Sequence, residues 1–432
     1  MRIYAISNFS NTARAESWVA VAADSDFPIE NLPYGVFSKN GAPGRIGVAI
    51  GDAIFDAPAA AEAGLFDGVV SRAVLESHSL NLLLGAGREV WSALRTRLIE
   101  LLRADTQRLD GIDRDRLLVR QSEARMAMPF HVGDYVDFYS SMEHATNLGK
   151  IFRPDSDPLL PNWRWIPIGY HGRSSTIVVS GTPVTRPNGQ RKAPAENAPS
   201  FGPSKSLDIE LEVGFVTGPG NRMGAGIPVG AARDHIFGLV LVNDWSARDI
   251  QAWEYQPLGP FLGKSFATSI SPWVVTLDAL EPYRIAGPAQ DPPPLPYLQC
   301  GEAWNYDIAL EVELQTARMR EEGSPAEIVS RSSFRYMYWN MAQQLAHATV
   351  NGTAIRPGDL YASGTISGPD PGSYGSFIEM TWRGARPLRL KNGETRSFLE
   401  DGDAVTLRGY CDAAGKPRIG FGGVTGTIVP AQ

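Results

Sequence analysis

The sequence predicts a mainly β, α+β protein, with a small barrel near the N-terminus and a larger β-rich domain after it. Three observations carry this. The 44 glycines and 32 prolines lie scattered between short apolar runs, the pattern of strands joined by many turns. Strict two-residue alternation of apolar and polar residues recurs in the second half. A helical stretch running into the polar, charged segment 103–120 marks a boundary, giving domains of 1–120 and 121–432. A chain of 432 residues has length for two or three domains.

Taken in order, the opening MRIYAISNFSNTARAESW has no continuous apolar run and does not read as a secretory signal. Residues 28–57 read as short strands separated by Asn40-Gly41, Pro43-Gly44 and Gly51-Asp52, consistent with a small barrel. Val90, Trp91, Leu94, Leu98, Leu101 and Leu102 follow at helical spacing. Beyond residue 121 the pattern is strand and turn, with its longest apolar run at Ile236–Val242. Ser333 can cap a helix that places Phe334, Met337, Tyr338, Met341 and Leu345 on one face. Pro292–Pro296 reads as an extended loop, and Asn392-Gly393 and Asp401-Gly402 signal hairpins before alternating Val405 and Leu407.

Composition excludes several function classes. With 40 Lys+Arg against 47 Asp+Glu the formal charge is −7, and no basic cluster offers a face for nucleic acid. Ile236–Val242 is far short of the roughly 18 apolar residues of a membrane span. Cys300 and Cys411 form no CxxC or Cys/His spacing, so neither a disulfide framework nor a zinc site is written, and a reducing, cytoplasmic setting is expected. Gly259-Pro-Phe-Leu-Gly263-Lys264-Ser265 is one residue short of a phosphate loop and follows no hydrophobic strand. Gly364-Thr-Ile-Ser367-Gly368 lacks the central serine of a hydrolase elbow.

Three segments carry candidate chemistry. From Ser206 to Phe215, apolar residues alternate with Asp208, Glu210 and Glu212, which a strand puts on one face. A solvated face is the ordinary reading; the mutual repulsion of the carboxylates, with no lysine in the run, makes a bound cation its competitor. Asp244 follows the apolar run at a strand end, where a turn aspartate would serve as well, and Ser246-x-x-Asp249 reads as a capping box opening a helix through Trp253. In 134–147, Ser140-x-x-Glu143 is a second box, setting Asp137 just before a helix and His144 in its first turn, facing one cavity. A helix N-terminus disfavours the imidazolium and leaves a neutral ring able to take a proton. These residues alone do not choose among the six histidines.

The strings DYVDFYSSMEHATN (134–147), PIGYHGRSS (167–175), LDIELE (207–212), NDWSARDIQAWEYQPLGPFLGKSF (243–266), RPGDLYASGTISGP (356–369) and GFGGVTG (420–426) resemble the fumarylacetoacetate hydrolase family. SDFPIENLPYGVFS (25–38) is similar to an N-terminal domain that shorter members of the family lack, which favours the hydrolases over the isomerases and decarboxylases. The resemblance implies an SH3-like N-terminal domain, a β-rich C-terminal domain of the family fold, and a homodimer. It implies hydrolysis of the C–C bond of 4-fumarylacetoacetate to fumarate and acetoacetate, the closing step of tyrosine breakdown. By the same resemblance Asp137, Glu210, Glu212 and Asp244 hold Ca²⁺, and Asp244, Lys264 and Thr268 are involved with Mg²⁺, Lys264 through its carbonyl because an ammonium cannot ligate a cation. His144 takes the proton of water, Glu379 orients it, and Arg248, Gln251 and Lys264 stabilise the oxyanion. Tyr139, Arg153, Tyr170, Gln251, Tyr255 and Thr365 contact substrate. Bland readings exist for the outer positions: Tyr170 and Tyr255 as packing aromatics, Arg153 as a partner of Asp155, Thr365 as a turn residue. The competing functions are action on a different oxo acid and a Ca²⁺-stabilised binding module.

Overall fold

The structure, a computed structural model, describes residues 16–193 and 195–432. Most of the N-terminal stretch read as lacking a secretory signal therefore lies outside the described residues. The first unit is a five-stranded antiparallel sheet ordered Leu118–Arg120, Ala53–Asp56, Arg45–Ile50, Tyr34–Ser38, Arg125–Ala127. Its first turn needs left-handed backbone, and Asn40 (φ 54) with Gly41 (φ 76) supplies it. The helix Arg88–Leu102 buries Trp91, Leu94, Leu98, Leu101 and Leu102, the face its spacing predicts, with Val90 half-buried.

The larger unit is β-rich, as predicted. One sheet runs Gly169–His171, Tyr135–Phe138, Leu360–Ala362, Leu211–Thr217, Ile236–Asp244, Thr268–Ile270, Ile177–Val179, with Val275–Thr276 also paired to the 236–244 strand. A second sheet runs Glu327–Ser333, Ala309–Gln315, Ala404–Cys411, Ile419–Val429, Val184–Thr185. All nine residues of the 236–244 strand are buried because both faces are covered. Leu239 and Leu241 pack into the core shared with the second sheet, while Val240 and Val242 pack against the N-terminal unit, including Trp91 and Leu94. Among the described residues no helix is long and apolar enough to cross a membrane.

Two expected elements are corrected. The run from Ser206 to Phe215 is two strands, Leu207–Asp208 and Leu211–Thr217. Leu207 pairs with Ala247 and Leu211 with Asn243, so both halves keep one register. Continued through the gap, that register sets Glu210 opposite Asp244. Facing like charges oppose a closed ladder, and the chain opens there. The helix expected after Ser333 is also divided. Ser333 caps only the short turn Phe334–Tyr336, and the helix Met341–Thr349 starts at Asn340, whose side chain and that of Gln343 form a capping box.

Candidate active site

Where the ladder opens, four predicted carboxylates are buried: Asp137, Glu210, Glu212 and Asp244 are 2, 5, 0 and 1% exposed. Pairing sets Asp137 beside Tyr170 and Ala362, and Asp244 beside Thr268. Asp137, Glu210 and Asp244 offer oxygens within 4.8 Å of one another. Lys264 fills part of the gap: its ammonium pairs with Glu210 and with Asp244 Oδ2 at 2.9 Å. Arg248 donates from Nη1 to Glu210 Oε1 at 2.8 Å and from Nε to Asp208 Oδ2 at 2.8 Å.

Two cations do not balance five carboxylates. Asp137 Oδ1 and Glu212 Oε1 are buried without a hydrogen-bond partner, an arrangement proteins otherwise avoid. Burial first, then the Asp244 charge, pushes the Asp137 carboxyl well above its usual range. Burial, then Asp137, Glu210 and Asp244, does the same to Glu212. Burial also opposes ionisation of Glu210, but Lys264 and Arg248 outweigh it and hold that carboxyl down at about 2. The unbalanced set is all oxygen, so it fits a hard divalent cation and suits zinc or copper poorly. Thr268 Oγ1 donates to Asp244 Oδ1 at 2.8 Å, as its grouping with Asp244 leads one to expect, and Tyr170, expected as a substrate contact, donates from its OH to Asp244 Oδ2 at 2.9 Å.

Beside the carboxylates stands a histidine pair. His144 lies in the first turn of the helix Met142–Phe152, but the cap is Ser141, whose Oγ accepts from the His144 amide at 3.3 Å. The predicted cap, Ser140, is held elsewhere: its amide donates to the Ser363 carbonyl and its Oγ accepts from Gln344. His144 Nδ1 lies 2.7 Å from Glu379 Oε2 with both side chains buried. With a carboxylate on Nδ1, the proton sits there and Nε2 is the basic nitrogen. Asn147, Ser367 and Ser376 donate to the same carboxylate at 3.0, 2.9 and 2.7 Å. Burial would raise the Glu379 carboxyl; His144 and these hydrogen bonds outweigh it and hold the group below its ordinary value. The Tyr139 ring meets His144 edge-on at 5.4 Å.

The outer positions differ among themselves. Gln251 accepts from Arg248 Nη1 at 3.2 Å on the helix Arg248–Glu254. That helix is not opened by the Ser246/Asp249 box: Ser246 Oγ donates to the Asp244 carbonyl, while Asp249 accepts from Ser204 Oγ at 2.6 Å and the Lys205 amide at 2.8 Å. Arg153 donates to the Pro158 carbonyl at 2.9 Å and leaves a buried Nε unpartnered; among the described residues it makes no pair with Asp155. Thr365 Oγ1 is likewise buried and unpartnered. Tyr255 is 38% exposed at the end of its helix and is not drawn into the buried cluster. The sequence reading missed the anchors. Asp208 accepts from the amides of Phe377 and Ile378 at 2.7 and 3.0 Å as well as from Arg248, tying the Arg248 helix to the one that carries Glu379. Asn147, three residues after His144 on one helix face, was open to detection; Ser367 and Ser376 carry no local signal.

A family model described as fumarylacetoacetase N-terminal matches residues 30–129, and one described as fumarylacetoacetate (FAA) hydrolase C-terminal matches residues 135–429. The fumarylacetoacetase of Homo sapiens is 52% identical over 421 residues, covering 96% of this chain and 99% of the relative. That of Arabidopsis thaliana is 52% identical over 425 residues, covering 97% and 99%. Among solved structures, a fumarylacetoacetate hydrolase from psychrophilic Exiguobacterium antarcticum matches with a TM-score of 0.50 at 18% identity, over 93% of this chain and 100% of that one, a likeness of fold.

Proposed function

The chain belongs to the fumarylacetoacetate hydrolase family and is a hydrolase, and on that premise we propose that it adds water across the C–C bond of 4-fumarylacetoacetate, giving fumarate and acetoacetate in the last step of tyrosine breakdown. The observation that carries the reading is the buried His144–Glu379 pair standing beside a carboxylate cluster left short of positive charge.

His144 Nε2 takes a proton from water as the oxygen attacks the diketone carbonyl, and Glu379 fixes the ring and stabilises the imidazolium that forms. Arg248, Gln251 and Lys264 donate to the tetrahedral oxyanion, where one such donor is typically worth about 3 to 4 kcal/mol of barrier. Collapse of that adduct breaks the C–C bond, releases fumarate and leaves an enolate, whose carbon takes the proton held on His144 to give acetoacetate. Asp137, Glu210, Glu212 and Asp244 would hold Ca²⁺, with Asp244, Thr268 and the Lys264 carbonyl at a neighbouring Mg²⁺. When bound, such a cation supplies positive charge for the diketone and enolate oxygens. Arg153, with its spare buried donor, Thr365, Tyr139, Tyr170 and Tyr255 bind the two carboxylates and the carbon frame of the substrate. We take the enzyme as a cytoplasmic homodimer of a small N-terminal domain and a catalytic domain; the unpaired Cys300 and Cys411 suit a reducing compartment.

The test is to follow loss of diketone absorbance with fumarate and acetoacetate release, for the parent and His144→Ala. Equal release of both products by the parent, lowered about 10²- to 10⁴-fold in the variant, supports the reading. A folded parent that leaves the diketone intact, or a fully active His144→Ala, contradicts it.

A further inference from the structure

Behind the Arg248–Glu254 helix lies a cavity of about 310 Å³ whose walls carry five cations: Arg191, Lys192, Lys205, Arg248 and Arg383. Arg248 is committed to Asp208 and Glu210. The other four make no ion pair with a carboxylate among the described residues. Lys192 rests over the Trp253 ring at 5.6 Å and Arg383 over Phe152 at 5.4 Å, while the Arg191 guanidinium donates to the Pro203 carbonyl.

Four cations against two acids in the wall, Glu196 and Asp249, leave it net positive. Glu196 accepts from the Ala193 amide at 2.9 Å. Asp249 is taken up by Ser204 Oγ and the amides of Lys205 and Ile250. Arg248 is only 4% exposed and its Nη2 is buried, so the charges open to the cavity are those of Arg191, Lys192, Lys205 and Arg383. Cations drawn from separate chain segments around one concavity concentrate a positive field inside it. Between them the lining includes Phe152, Ile378 and Phe398, apolar groups that suit a short carbon frame and not a bare inorganic ion.

We propose that this cavity is a second binding site, distinct from the catalytic cleft, for a small organic dianion: two carboxylates on a short carbon frame. Its charged ends meet Lys205, Arg383 and the Arg191–Lys192 wall. The proposal stands on the cavity and its charges and does not need the reaction assigned above.

The test counts bound ligand by equilibrium dialysis, with labelled fumarate as probe, for the parent and for Lys205→Glu/Arg383→Glu, residues outside the catalytic machinery. The double variant is expected to bind one fewer fumarate per chain, with the lost site weakened at least tenfold. Acetate and inorganic phosphate should displace fumarate from that site poorly. If the charge reversals impair folding, Lys205→Gln/Arg383→Gln is read in the same way. Equal stoichiometry, with affinities within twofold in parent and variant, overturns the proposal. So does displacement by phosphate as effective as by unlabelled fumarate, which would mark a generic anion patch. Turnover is measured separately on the same preparations, so a failed reaction assignment and a failed second site give different results.

Discussion

Replacing Glu212 by Gln removes one charge from a carboxylate set that is short of cations, and the consequences with and without metal have opposite signs. Glu212 is fully buried, one of its oxygens accepts from the Gly364 amide at 3.2 Å, and the other has no partner. The amide keeps the first contact and discards the charge, so metal-free Glu212→Gln should melt at or above the parent temperature. A divalent cation at about 100 times its Kd stabilises the folded state by about 2.7 kcal/mol. With an unfolding entropy of about 2.1 cal/mol/K per residue, the 432 residues give about 0.9 kcal/mol/K. The parent Tm should then rise by about 3 °C on adding Ca²⁺ after chelation, and that of Glu212→Gln by less than about 1 °C. Differential scanning calorimetry of both proteins in chelator and in Ca²⁺ measures all four values. An equal rise in the variant, or a parent indifferent to Ca²⁺, Mg²⁺ and Mn²⁺, refutes the reasoning.

Other consequences follow from the same geometry. Glu379→Gln loses a charge-assisted hydrogen bond worth about 1.5 to 3 kcal/mol, so kcat should fall about 10- to 150-fold and Tm should drop near neutral pH; steady-state kinetics within twofold of the parent would contradict it. Because the Glu379 carboxyl is held below its ordinary 4.5 in the folded protein, its contribution to stability is present above that pH and is lost as the pH falls through the folded value. The stability gap between parent and Glu379→Gln should therefore close in acid, which denaturant melts at stepped pH would reveal. Arg153→Met, by removing a cation with a free buried Nε, should raise KM about 10- to 150-fold with kcat nearly unchanged; an effect confined to kcat would place Arg153 elsewhere in the cycle. Leu241→Ala, deep in the central strand, should cost about 2 to 5 kcal/mol in denaturant melts, and a loss below about 1 kcal/mol would mean that this face of the strand is not packed against the second sheet.

The β-rich fold, the helix Arg88–Leu102 and the strand ending at Asp244 were legible because their periodicity is local and strong. The alternation through 206–215 also marked the apolar residues that enter the core, Leu207, Ile209, Leu211, Val213 and Phe215. What it could not carry was the opening at Ile209–Glu210, which exists because another strand places Asp244 across from Glu210 and because Lys264 arrives from 54 residues away. Capping signals failed wherever tertiary partners claimed the same groups: Ser140 is held by Ser363 and Gln344, Asp249 by Ser204 and Lys205, and Ser141 and Ala247 stand at the helix starts instead. Family resemblance, and not periodicity, singled out Glu379, which lies 235 residues from His144. The hydroxyls of Ser367 and Ser376 that hold it could be seen only in three dimensions.

A buried carboxylate cluster short of positive charge stands beside the His144–Glu379 pair, and the proposed hydrolysis needs a metal ion there. Its most direct test is the rate of 4-fumarylacetoacetate hydrolysis by the purified protein after exhaustive chelation, and again after Ca²⁺ or Mg²⁺ is restored. Fumarate release should be abolished by chelation and recovered with the metal. Hydrolysis at an undiminished rate in protein shown to be metal-free would contradict it.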